Sequence, residues 1–519
     1  MFSFPFWLSF VIGFLSLSEE ILWMRTVSFA YRTLPPTFSF VLVCYLLGIA
    51  FGAAVGKSLC RRTANLYGAA GVVLAIAAVT DVLTPVFIAN GISPSDQQLG
   101  YLALAIMLTA GLKSVLFPVV HQLGSMSQGP AVGRSMSRIY FGNILGATLG
   151  PLLTGFAALD VLNVDECFGV AGAVCLLASI GCVLKSGQPK LLAASVVAAV
   201  ISSLVAQKSI LPGPGSFGRL AAGGKESMTH YIGNRHGVIH TALTAEGEHV
   251  YGGNVYDGIA SVNVDTNRNR LDRLYIVALA HPAPKRLLFV GLSAGAWVRA
   301  AQGFPDVESI DVVEINPGYV DLIRQYPQLA PLLKDPRLHL HIDDGRRWLR
   351  RNPDARFDVI IQNTTFHWRA NVGNMLSFEY FSELKQHLNP GGIAITNTTG
   401  SFDVLATARA VFPYAYRYVN FVYVSDRPLV IDASRLGRIE RPDGKLFGPA
   451  GAADNSVAAL LATARLEPVD EFLIRRQATG QVITDDNLLS EYRDGLRFGP
   501  PFLTALAPPA PREFNLRDP

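Results

Sequence analysis

Charge and cysteine are both scarce in this chain of 519 residues, and both are unevenly distributed. Charged residues make up 16% of the sequence, against roughly 25% in soluble domains, and 17 of them lie in 1–206 and 67 in 207–519. The net charge of +4 is small and scattered, which argues against a nucleic-acid partner. The absence of a CxxC pair, and of any cysteine after residue 206, excludes a disulfide framework and a cysteine metal site; the cysteines are Cys44, Cys60, Cys167, Cys175 and Cys182.

Long apolar runs fill the first part of the chain. A helix that spans a membrane needs about 20 mostly apolar residues, and seven stretches qualify, at approximately 4–29, 36–56, 65–90, 98–120, 138–159, 167–185 and 189–206. The first residues lack a basic n-region and a small-residue cleavage site, so we interpret them as a retained span rather than a signal peptide. The sequence therefore predicts a transmembrane domain over 1–206.

Three ionisable features inside these spans need an explanation: Glu19 with Glu20, Asp81, and Lys113. Buried charge is costly in lipid and often marks a transport or substrate pathway. The alternative is that the glutamates lie at the membrane interface and that Lys113 pairs with one of the carboxylates. The fifth span also carries glycines at spacings of four or five, which is typical of close helix packing; they are Gly142, Gly146, Gly150 and Gly155.

The second part of the chain has the pattern of a small β unit followed by an α/β domain. Residues 229–262 alternate in short segments with Gly, Asn and Asp turns, which predicts antiparallel strands. Apolar runs then recur between helical stretches, which predicts a doubly wound, mostly parallel sheet; they are 286–291, 309–315, 338–343, 357–363 and 392–398. We therefore expect a linker and β unit over 207–265, an α/β domain over 266–430 and an extension over 431–519.

The ends of the first three apolar runs predict a nucleoside site, because ligands of such sheets bind beyond the carboxyl ends of the strands. The first run ends in GLSAG before a helix, where glycine allows close backbone approach and the helix N-terminus favours negative charge. The second ends in an acidic residue at a spacing typical of ribose recognition. The third ends in two aspartates, for which a helix N-cap is the alternative. The candidate residues are Gly291, Ser293, Gly295, Glu314, Asp343, Asp344 and Gly345.

The pentapeptide GLSAG also fits G-x-S-x-G, the nucleophile elbow of α/β-hydrolases, with Ser293 as the nucleophile. That elbow normally follows several strands, whereas this one opens the sheet. Only Asp344 and His367 stand at later strand ends as partners for a triad. A hydrolase is therefore the weaker interpretation.

Motifs along nearly the whole chain carry a family resemblance: GRSMSRIYFGNILGATLGPLLTGF in the fifth span, VYGGNVYDG, LFVGLSAG, VVEIN, IDDGRRWL, FDVII and ITDDNLLSEYR. Together they resemble the spermidine synthase (polyamine aminopropyltransferase) family, specifically its bacterial relatives fused behind a multi-span membrane domain. The resemblance implies a methyltransferase-like Rossmann domain that binds S-adenosylmethionine, its decarboxylated form or methylthioadenosine, with no metal. It also implies that Glu314 holds the ribose diol, that Asp344 lies near the adenine, and that the Gly291–Gly295 loop faces the aminopropyl or methionine portion.

The chain departs from this family at the end of the fourth strand. The family transfers an aminopropyl group from a sulfonium to an amine, and an aspartate at this position takes the proton of the amine. Here the family's Asp-Ser-Ser-Asp is replaced by Asn363-Thr364-Thr365-Phe366. Asparagine cannot accept the proton, and general-base catalysis contributes about 10²–10⁴ in rate, so ordinary spermidine synthesis is in doubt.

The loop after this strand offers other chemistry. His367 is the natural replacement base, while Trp368 is suited to stacking on a sulfonium or base and Arg369 to clamping a carboxylate or phosphate. Packing of the loop is the alternative for His367 and Trp368. The resemblance further suggests that the β unit lines the acceptor side of the site, although a turn explains its Asn and Asp residues equally well. The C-terminal extension would add a carboxylate to the site if it folds back onto the domain. The catalytic candidates are thus Asn363 and His367, and the substrate-binding candidates are Asn254, Tyr256, Asp257, Trp368, Arg369 and Asp485.

We predict an enzyme of the bacterial inner membrane that transfers an aminopropyl-type group from S-adenosylmethionine or its decarboxylated form to an amine or lipid-associated acceptor. Internal cleavage of the sulfonium is a variant of this reaction, and both release methylthioadenosine. The expected partners are the acceptor and the lipid bilayer, with no nucleic acid, and a homodimer stays open. A nucleoside-binding sensor or transporter accessory is the second hypothesis, and a methyltransferase is the third.

The basic residues between the spans predict which loops are cytoplasmic. Alternate loops carry most of them, and the positive-inside rule places those loops in the cytoplasm; the residues are Lys57, Arg61, Arg62, Arg134, Arg138, Lys185 and Lys190. Seven spans then leave the C-terminal domain outside, whereas a nucleotide-using enzyme is expected inside. Either one span is misassigned or the domain is extracytoplasmic.

Overall fold

The chain divides into two compact units. The computed structural model describes residues 3–91, 96–126, 132–188, 190–191, 197, 204, 215–222, 228–363, 366–448, 457–487 and 489–498. One unit comprises Met1–Glu226 with Tyr231–Val238, and the other comprises Ser227–His230 with Ile239–Pro519. The first is helical, and the second contains the main sheet.

The helical unit begins with five long helices, α1 (Phe4–Ala30), α2 (Pro36–Arg62), α3 (Leu66–Gly91), α4 (Asp96–Ser125) and α5 (Val132–Leu153). A π-helical turn, Thr154–Ala158, leads into the short α6 (Leu159–Val161), and α7 (Val164–Ser186) and α8 (Gly215–Ala222) follow. Among the described residues, six helices are long and apolar enough to cross a membrane, and they confirm the first six predicted spans. The seventh, 189–206, lies almost wholly outside the described residues.

A glycine stripe lets α5 pack closely on α1. A Cβ atom built on Gly142 would meet Phe6, and one on Gly146 would collide with the backbone of Phe10. Gly150 approaches α1 in the same way, whereas a Cβ atom on Gly155 would meet nothing within 4 Å. Packing therefore explains three of the four glycines, as the small-residue pattern predicts.

The small sheet is a meander in the order β1-β2-β3-β4, formed by Met228–Asn234, Gly237–Thr244, Gly247–Gly252 and Val255–Ile259. Residues Gly253 and Asn254 join β3 to β4, and both have positive φ, 60° and 63°. Such two-residue turns match the twist of the strands and favour glycine and asparagine. The alternating pattern of 229–262 therefore predicted this unit correctly.

The main sheet has eight strands in the order β12-β10-β11-β9-β8-β5-β6-β7. The five strands from β9 to β7 in this order are parallel, and β10, β11 and β12 pair antiparallel at one edge. The strands are β5 (Arg286–Val290), β6 (Ser309–Glu314), β7 (Leu338–Ile342), β8 (Phe357–Gln362), β9 (Leu388–Asn397), β10 (Tyr414–Tyr418), β11 (Phe421–Ser425) and β12 (Glu467–Pro468). The chain runs outward from β5 in both directions, so the order reverses between β5 and β8, where such sheets bind ligands.

Helices pack on this sheet, and the C-terminal extension contributes both a strand and core residues. Val469, Phe472 and Ile483 are buried in the same cluster as Leu288 of β5 and Ile360 of β8. The helices of this unit are Asp272–Ala280, Ala296–Ala301, Gly318–Arg324, Gly345–Arg351, Phe378–Gln386, Phe402–Val411, Val457–Thr463, Val469–Arg476 and Leu489–Gly495. The sheet and its core thus continue past residue 430.

The glycine stripe gives a first test. Gly146→Ala places a methyl group against the Phe10 backbone, and such overpacking costs about 1–3 kcal/mol. Gly155→Ala is the matched control, since its methyl group meets open space. We expect a lower thermal unfolding temperature for the first variant only, measured on the full-length protein in lipid nanodiscs. Equal temperatures for the two variants would contradict this packing.

Candidate functional site

The candidate site begins at the loop between β5 and the helix Ala296–Ala301. Gly291, Ser293 and Gly295 have positive φ angles of 95°, 49° and 76°, so the backbone makes a tight turn at the carboxyl end of β5. A Cβ atom on Gly291 would meet nothing within 4 Å, which leaves room for a ligand beside the loop. The Ser293 hydroxyl donates a hydrogen bond to the backbone carbonyl of Asp257 at 2.9 Å. Ser293 is therefore held as part of the turn, with no histidine at its hydroxyl.

Glu314 fixes the neighbouring strand end to this loop. Its carboxylate accepts hydrogen bonds from the backbone N–H groups of Leu292 and Asn316, both at 2.7 Å. Only 4% of the residue is exposed, and burial raises the pKa of its carboxyl to about 7 despite these two donors. Each carboxylate oxygen has a further lone pair, so Glu314 retains the capacity to accept ribose hydroxyls.

A second carboxylate, Asp257 on β4, lies close to Glu314. The phenol of Tyr319 donates a hydrogen bond to it at 2.6 Å. Burial raises the pKa of the Asp257 carboxyl, while hydrogen bonds from Tyr319 and Ser293 and the charge of Arg369 act to lower it. Arg369, from the loop after β8, is therefore close enough to act on both Asp257 and Tyr319. Two carboxylates and one guanidinium thus meet at the carboxyl edge of the sheet.

The other two candidates on the β unit differ in their surroundings. Asn254 occupies the left-handed turn between β3 and β4, which agrees with the turn alternative. Tyr256 is 40% exposed, and its ring lies edge-on to that of His249 with centroids 5.2 Å apart. Tyr256 therefore offers an aromatic edge beside Asp257, whereas Asn254 shapes the backbone.

The aspartates after β7 make local contacts. Asp344 is the N-cap of the helix Gly345–Arg351 and accepts a hydrogen bond from the Arg347 N–H at 2.8 Å. Asp343 forms ion pairs with Arg347 and with Arg351, the latter at 3.3 Å. A Cβ atom on Gly345 would crowd Val290 at the end of β5, so glycine keeps these two strand ends close. The N-cap alternative thus holds for Asp344, which keeps one oxygen for other donors.

A chain of hydrogen bonds starts at Asn363, at the end of β8. The Asn397 side chain donates to the Asn363 oxygen at 2.9 Å, and the N–H of Thr399 donates to Asn397 at 2.9 Å. The Thr399 hydroxyl then lies 2.6 Å from His367 Nδ1, and His367 Nε2 lies 3.2 Å from an Asp494 carboxylate oxygen. Asn363 is exposed at one end of this chain, and the other end is buried.

Both ring nitrogens of His367 are therefore engaged within the protein. Only 2% of the residue is exposed, and Trp368 beside it is 4% exposed. The ring of Trp368 stacks on Phe366 with centroids 5.3 Å apart. The packing alternative describes these two side chains, and proton transfer by His367 to a substrate would require one of its contacts to break.

The helix Leu489–Gly495 holds this loop in place, which the sequence did not reveal. Glu491 accepts hydrogen bonds from the backbone N–H groups of Asn371, at 2.8 Å, and Gly373. Burial acts to raise the pKa of the Asp494 carboxyl, but hydrogen bonds from His367 and Arg493 lower it below its usual value. Glutamate and aspartate three residues apart lie on one helix face, and this spacing in the sequence was the available signal.

The segment that carries Asp485 folds back onto the domain, which was the condition for it to add a carboxylate there. Arg346 donates two hydrogen bonds to its carboxylate, both at 2.7 Å, and the Ser377 hydroxyl donates a third at 2.6 Å. The hydrogen bonds from Arg346 lower the pKa of the Asp485 carboxyl. A bidentate arginine satisfies a carboxylate well, so Asp485 serves to anchor the extension in the structure. Among the described residues, no group of three or more His, Cys, Asp or Glu is placed to hold a metal ion.

Comparison with known proteins shows what the central part of this unit is similar to. Residues 274–412 match the spermine/spermidine synthase domain family. Curated relatives include a spermine synthase of Arabidopsis thaliana, 34% identical over 187 residues, which is 32% of this chain and 51% of that protein. A polyamine aminopropyltransferase of Streptococcus uberis is 32% identical over 123 residues, 24% of this chain and 42% of that protein. The chain contains a spermine/spermidine synthase domain. It spans about half the length of the relatives it matches.

Solved structures give a more distant likeness to this synthase domain. A spermidine synthase in complex with the transition state analogue AdoDATO is 16% identical, with a TM-score of 0.36, and the match covers 46% of this chain and 84% of that one. A spermidine synthase from Thermotoga maritima is 17% identical, with a TM-score of 0.35, over 44% of this chain and 81% of that one.

We predict that a nucleoside whose ribose binds Glu314 does so with an affinity that depends on pH, because burial raises the pKa of this carboxyl to about 7. Ribose hydroxyls donate to the ionised carboxylate, so affinity should rise as pH passes through about 7 and fall about tenfold per unit below it. The same shift lowers stability as pH rises from the usual value of 4.5 to about 7, because the folded state keeps its proton longer than the unfolded chain. Calorimetric titration of the full-length protein with methylthioadenosine measures the affinity.

Glu314→Gln should bind methylthioadenosine weakly at every pH, because the amide no longer titrates. The matched control is Glu308→Gln, since Glu308 precedes β6 and forms an exposed ion pair with Lys285. We expect this control to keep the pH profile of the unchanged protein. If the unchanged protein binds methylthioadenosine with the same affinity at acidic and alkaline pH, Glu314 does not titrate at the ribose.

The helix Leu489–Gly495 gives a test of loop positioning. In Glu491→Gln, an amide NH2 group replaces one carboxylate oxygen and cannot accept the hydrogen bond from the backbone N–H of Asn371 or Gly373. An unsatisfied buried group costs about 1–3 kcal/mol. We expect faster amide hydrogen exchange over residues 366–375, measured by mass spectrometry. Glu471→Gln, at an exposed position of the preceding helix, is the control. Unchanged exchange in both variants would show that Glu491 does not hold the loop.

Proposed function

We propose that this protein is a membrane-integrated transferase that moves an aminopropyl-type group from S-adenosylmethionine or its decarboxylated form to an amine or lipid-associated acceptor. The observation that carries the proposal is Glu314, a carboxylate at the end of β6 that is held by two backbone N–H groups, one of them from the turn after β5. A buried carboxylate in that position suits a ribose diol. Methylthioadenosine is the product expected from the donor.

In this reaction the lone pair of the acceptor amine attacks the carbon bonded to the sulfonium. The new carbon–nitrogen bond forms as the carbon–sulfur bond breaks, and its electron pair returns to sulfur, so methylthioadenosine leaves neutral. The amine proton passes to a base or to water. Because a sulfonium is a good leaving group, the protein's main tasks are to align the two reactants and to exclude water.

The side chains of the site support such alignment. Glu314 and the Gly291–Gly295 turn are suited to the nucleoside, while Asp257 and Tyr256 offer a carboxylate and an aromatic ring to a cationic acceptor. Asn363 is an exposed hydrogen-bonding group that does not titrate. Asp257 is then a better placed proton acceptor than His367, because both nitrogens of the histidine already have partners.

Charge at the site favours the donor that keeps its carboxylate. Glu314, Asp257 and Arg369 together carry one net negative charge when the two carboxylates are ionised. S-Adenosylmethionine carries one net positive charge, and its decarboxylated form carries two, so the intact donor balances the site. Arg369 is the side chain suited to pair with the donor carboxylate, because its planar guanidinium matches carboxylates.

The six long apolar helices support a membrane location, and we place the protein in the bacterial inner membrane. An amine or a lipid headgroup within reach of the membrane is then the acceptor class that such an anchor favours. A nucleoside-binding sensor or transporter accessory is the alternative, because Asn363 stands where the family has its proton-accepting aspartate. A methyltransferase is the third candidate, since the fold permits it.

Product analysis tests the reaction. Full-length protein in detergent with native lipids is incubated with each donor, and the nucleoside products are identified by mass spectrometry. We expect methylthioadenosine from S-adenosylmethionine, and loss of this product in Glu314→Gln but not in Glu308→Gln. Adenosylhomocysteine as the product would indicate methyl transfer. If both donors are recovered unchanged, the transferase hypothesis is wrong and the sensor hypothesis is left.

Arg369→Gln tests the preference between donors. A hydrogen bond to a charged group contributes about 1.5–3 kcal/mol, so KM for S-adenosylmethionine should rise about tenfold to a hundredfold. KM for the decarboxylated donor should change little, because that donor has no carboxylate to lose. Arg324→Gln, at an exposed ion pair with Asp321, is the matched control. Equal effects on both donors would contradict a carboxylate contact.

A further inference from the structure

Three ionisable side chains meet inside the helical unit. Lys113 of α4 lies 2.7 Å from a Glu19 oxygen of α1 and 2.5 Å from an Asp81 oxygen of α3. All three residues are 0% exposed. The sequence analysis anticipated a pairing of Lys113 with one carboxylate, and the structure shows two. Glu19 is thus inside the bundle rather than at an interface.

The charges of this cluster do not balance. One ammonium group faces two carboxylates, so the fully ionised cluster has one net negative charge among fully buried side chains. On insertion scales, a charge at the centre of a spanning helix costs about 2.5–3.5 kcal/mol. One bound proton removes the imbalance, and it allows Lys113 and one carboxylate to remain an ion pair.

The hydrogen bonds around the two carboxylates decide where the proton resides. Asp81 accepts from Lys113 on one oxygen, and the Cys175 thiol donates to its other oxygen at 3.5 Å. Glu19 has the ion pair with Lys113 and shares a hydrogen bond with the Asp81 carboxyl, and two carboxyl groups can share a hydrogen bond only when one of them carries a proton. Donors stabilise the ionised form, so Asp81 keeps its charge and Glu19 takes the proton.

The remaining titratable groups around Glu19 leave this balance unchanged. From α2, the Tyr45 phenol donates to the Ser16 carbonyl, and from α7 the nearby group is the neutral Cys175 thiol. Glycines of α5, including Gly150 beside Ser18, face α1 at this level. Glu20, the next residue on α1, is only partly buried.

We propose that Glu19, Asp81 and Lys113 form a proton-binding site within the helical unit, in which Glu19 carries the proton and exchanges it with solvent. The site is independent of the transferase reaction. Loss of the proton leaves one uncompensated negative charge in the cluster. Either a second cation must then bind or the packing of the helices must change to expose the charge.

Infrared spectroscopy of the full-length protein in lipid nanodiscs tests this site, because a protonated carboxyl has a C=O stretch resolved from that of a carboxylate. Spectra are taken at alkaline pH, where Glu314 is ionised because its pKa is only about 7. We expect one protonated-carboxyl band that shifts in heavy water. It should shift with carboxyl-¹³C glutamate and not with labelled aspartate, which assigns the proton without any variant.

Variants then test the charge balance. Glu19→Gln removes the band, and Asp81→Asn also removes it, because Glu19 becomes the single counter-ion of Lys113 and ionises. The matched control, Glu20→Gln, keeps the band. Absence of the band in the unchanged protein, a shift with labelled aspartate, no shift in heavy water, or persistence of the band in Glu19→Gln would each overturn the proposal.

Discussion

The carboxylate of Glu314 joins the two strand ends on which the candidate site depends. Because Leu292 and Asn316 donate their backbone N–H groups to it, the glycine turn after β5 and the turn after β6 are held at a fixed separation. These donors belong to the backbone, so the position of the carboxylate does not depend on the rotamer of another side chain. Burial raises the pKa of this carboxyl to about 7, so its charge changes near neutral pH.

The loop after β8 is held by acidic residues that lie outside it. Asn363 and Asn397 form a neutral pair, and the loop beyond them is fixed by two acidic residues of the helix Leu489–Gly495. Glu491 binds backbone and Asp494 binds an imidazole, so the carboxylates that remain near this loop position it from outside. In the proposed reaction, catalysis would rely on alignment of the reactants and on Asp257, since the Asn363 side chain cannot accept a proton.

The sequence predicts the parallel strands well because each is a short apolar run between helices, and it predicts β1 to β4 because turn residues separate them. β10, β11 and β12, which pair antiparallel at the sheet edge, were not predicted. YAYRY and the two-residue strand Glu467–Pro468 lack an apolar run, whereas FVYVS of β11 has one and was missed. Glu314 and the glycine turn follow from spacing. The contacts of His367 with Thr399 and Asp494 join residues far apart in sequence, which local patterns cannot show.

The number of spans decides on which side of the membrane the synthase domain lies. Six helices bring the chain after Ser186 to the same side as the end of α2, where Arg61 and Arg62 lie in the last turn, and Lys185 ends α7 on that side. Basic residues mark this side as cytoplasmic. The described helices thus place the end of α7 on the cytoplasmic side, and residues 189–206, which lie almost wholly outside the described residues, decide the rest. Without a seventh span the synthase domain follows in the cytoplasm, where a domain of the proposed function is expected, and with that span the conflict remains.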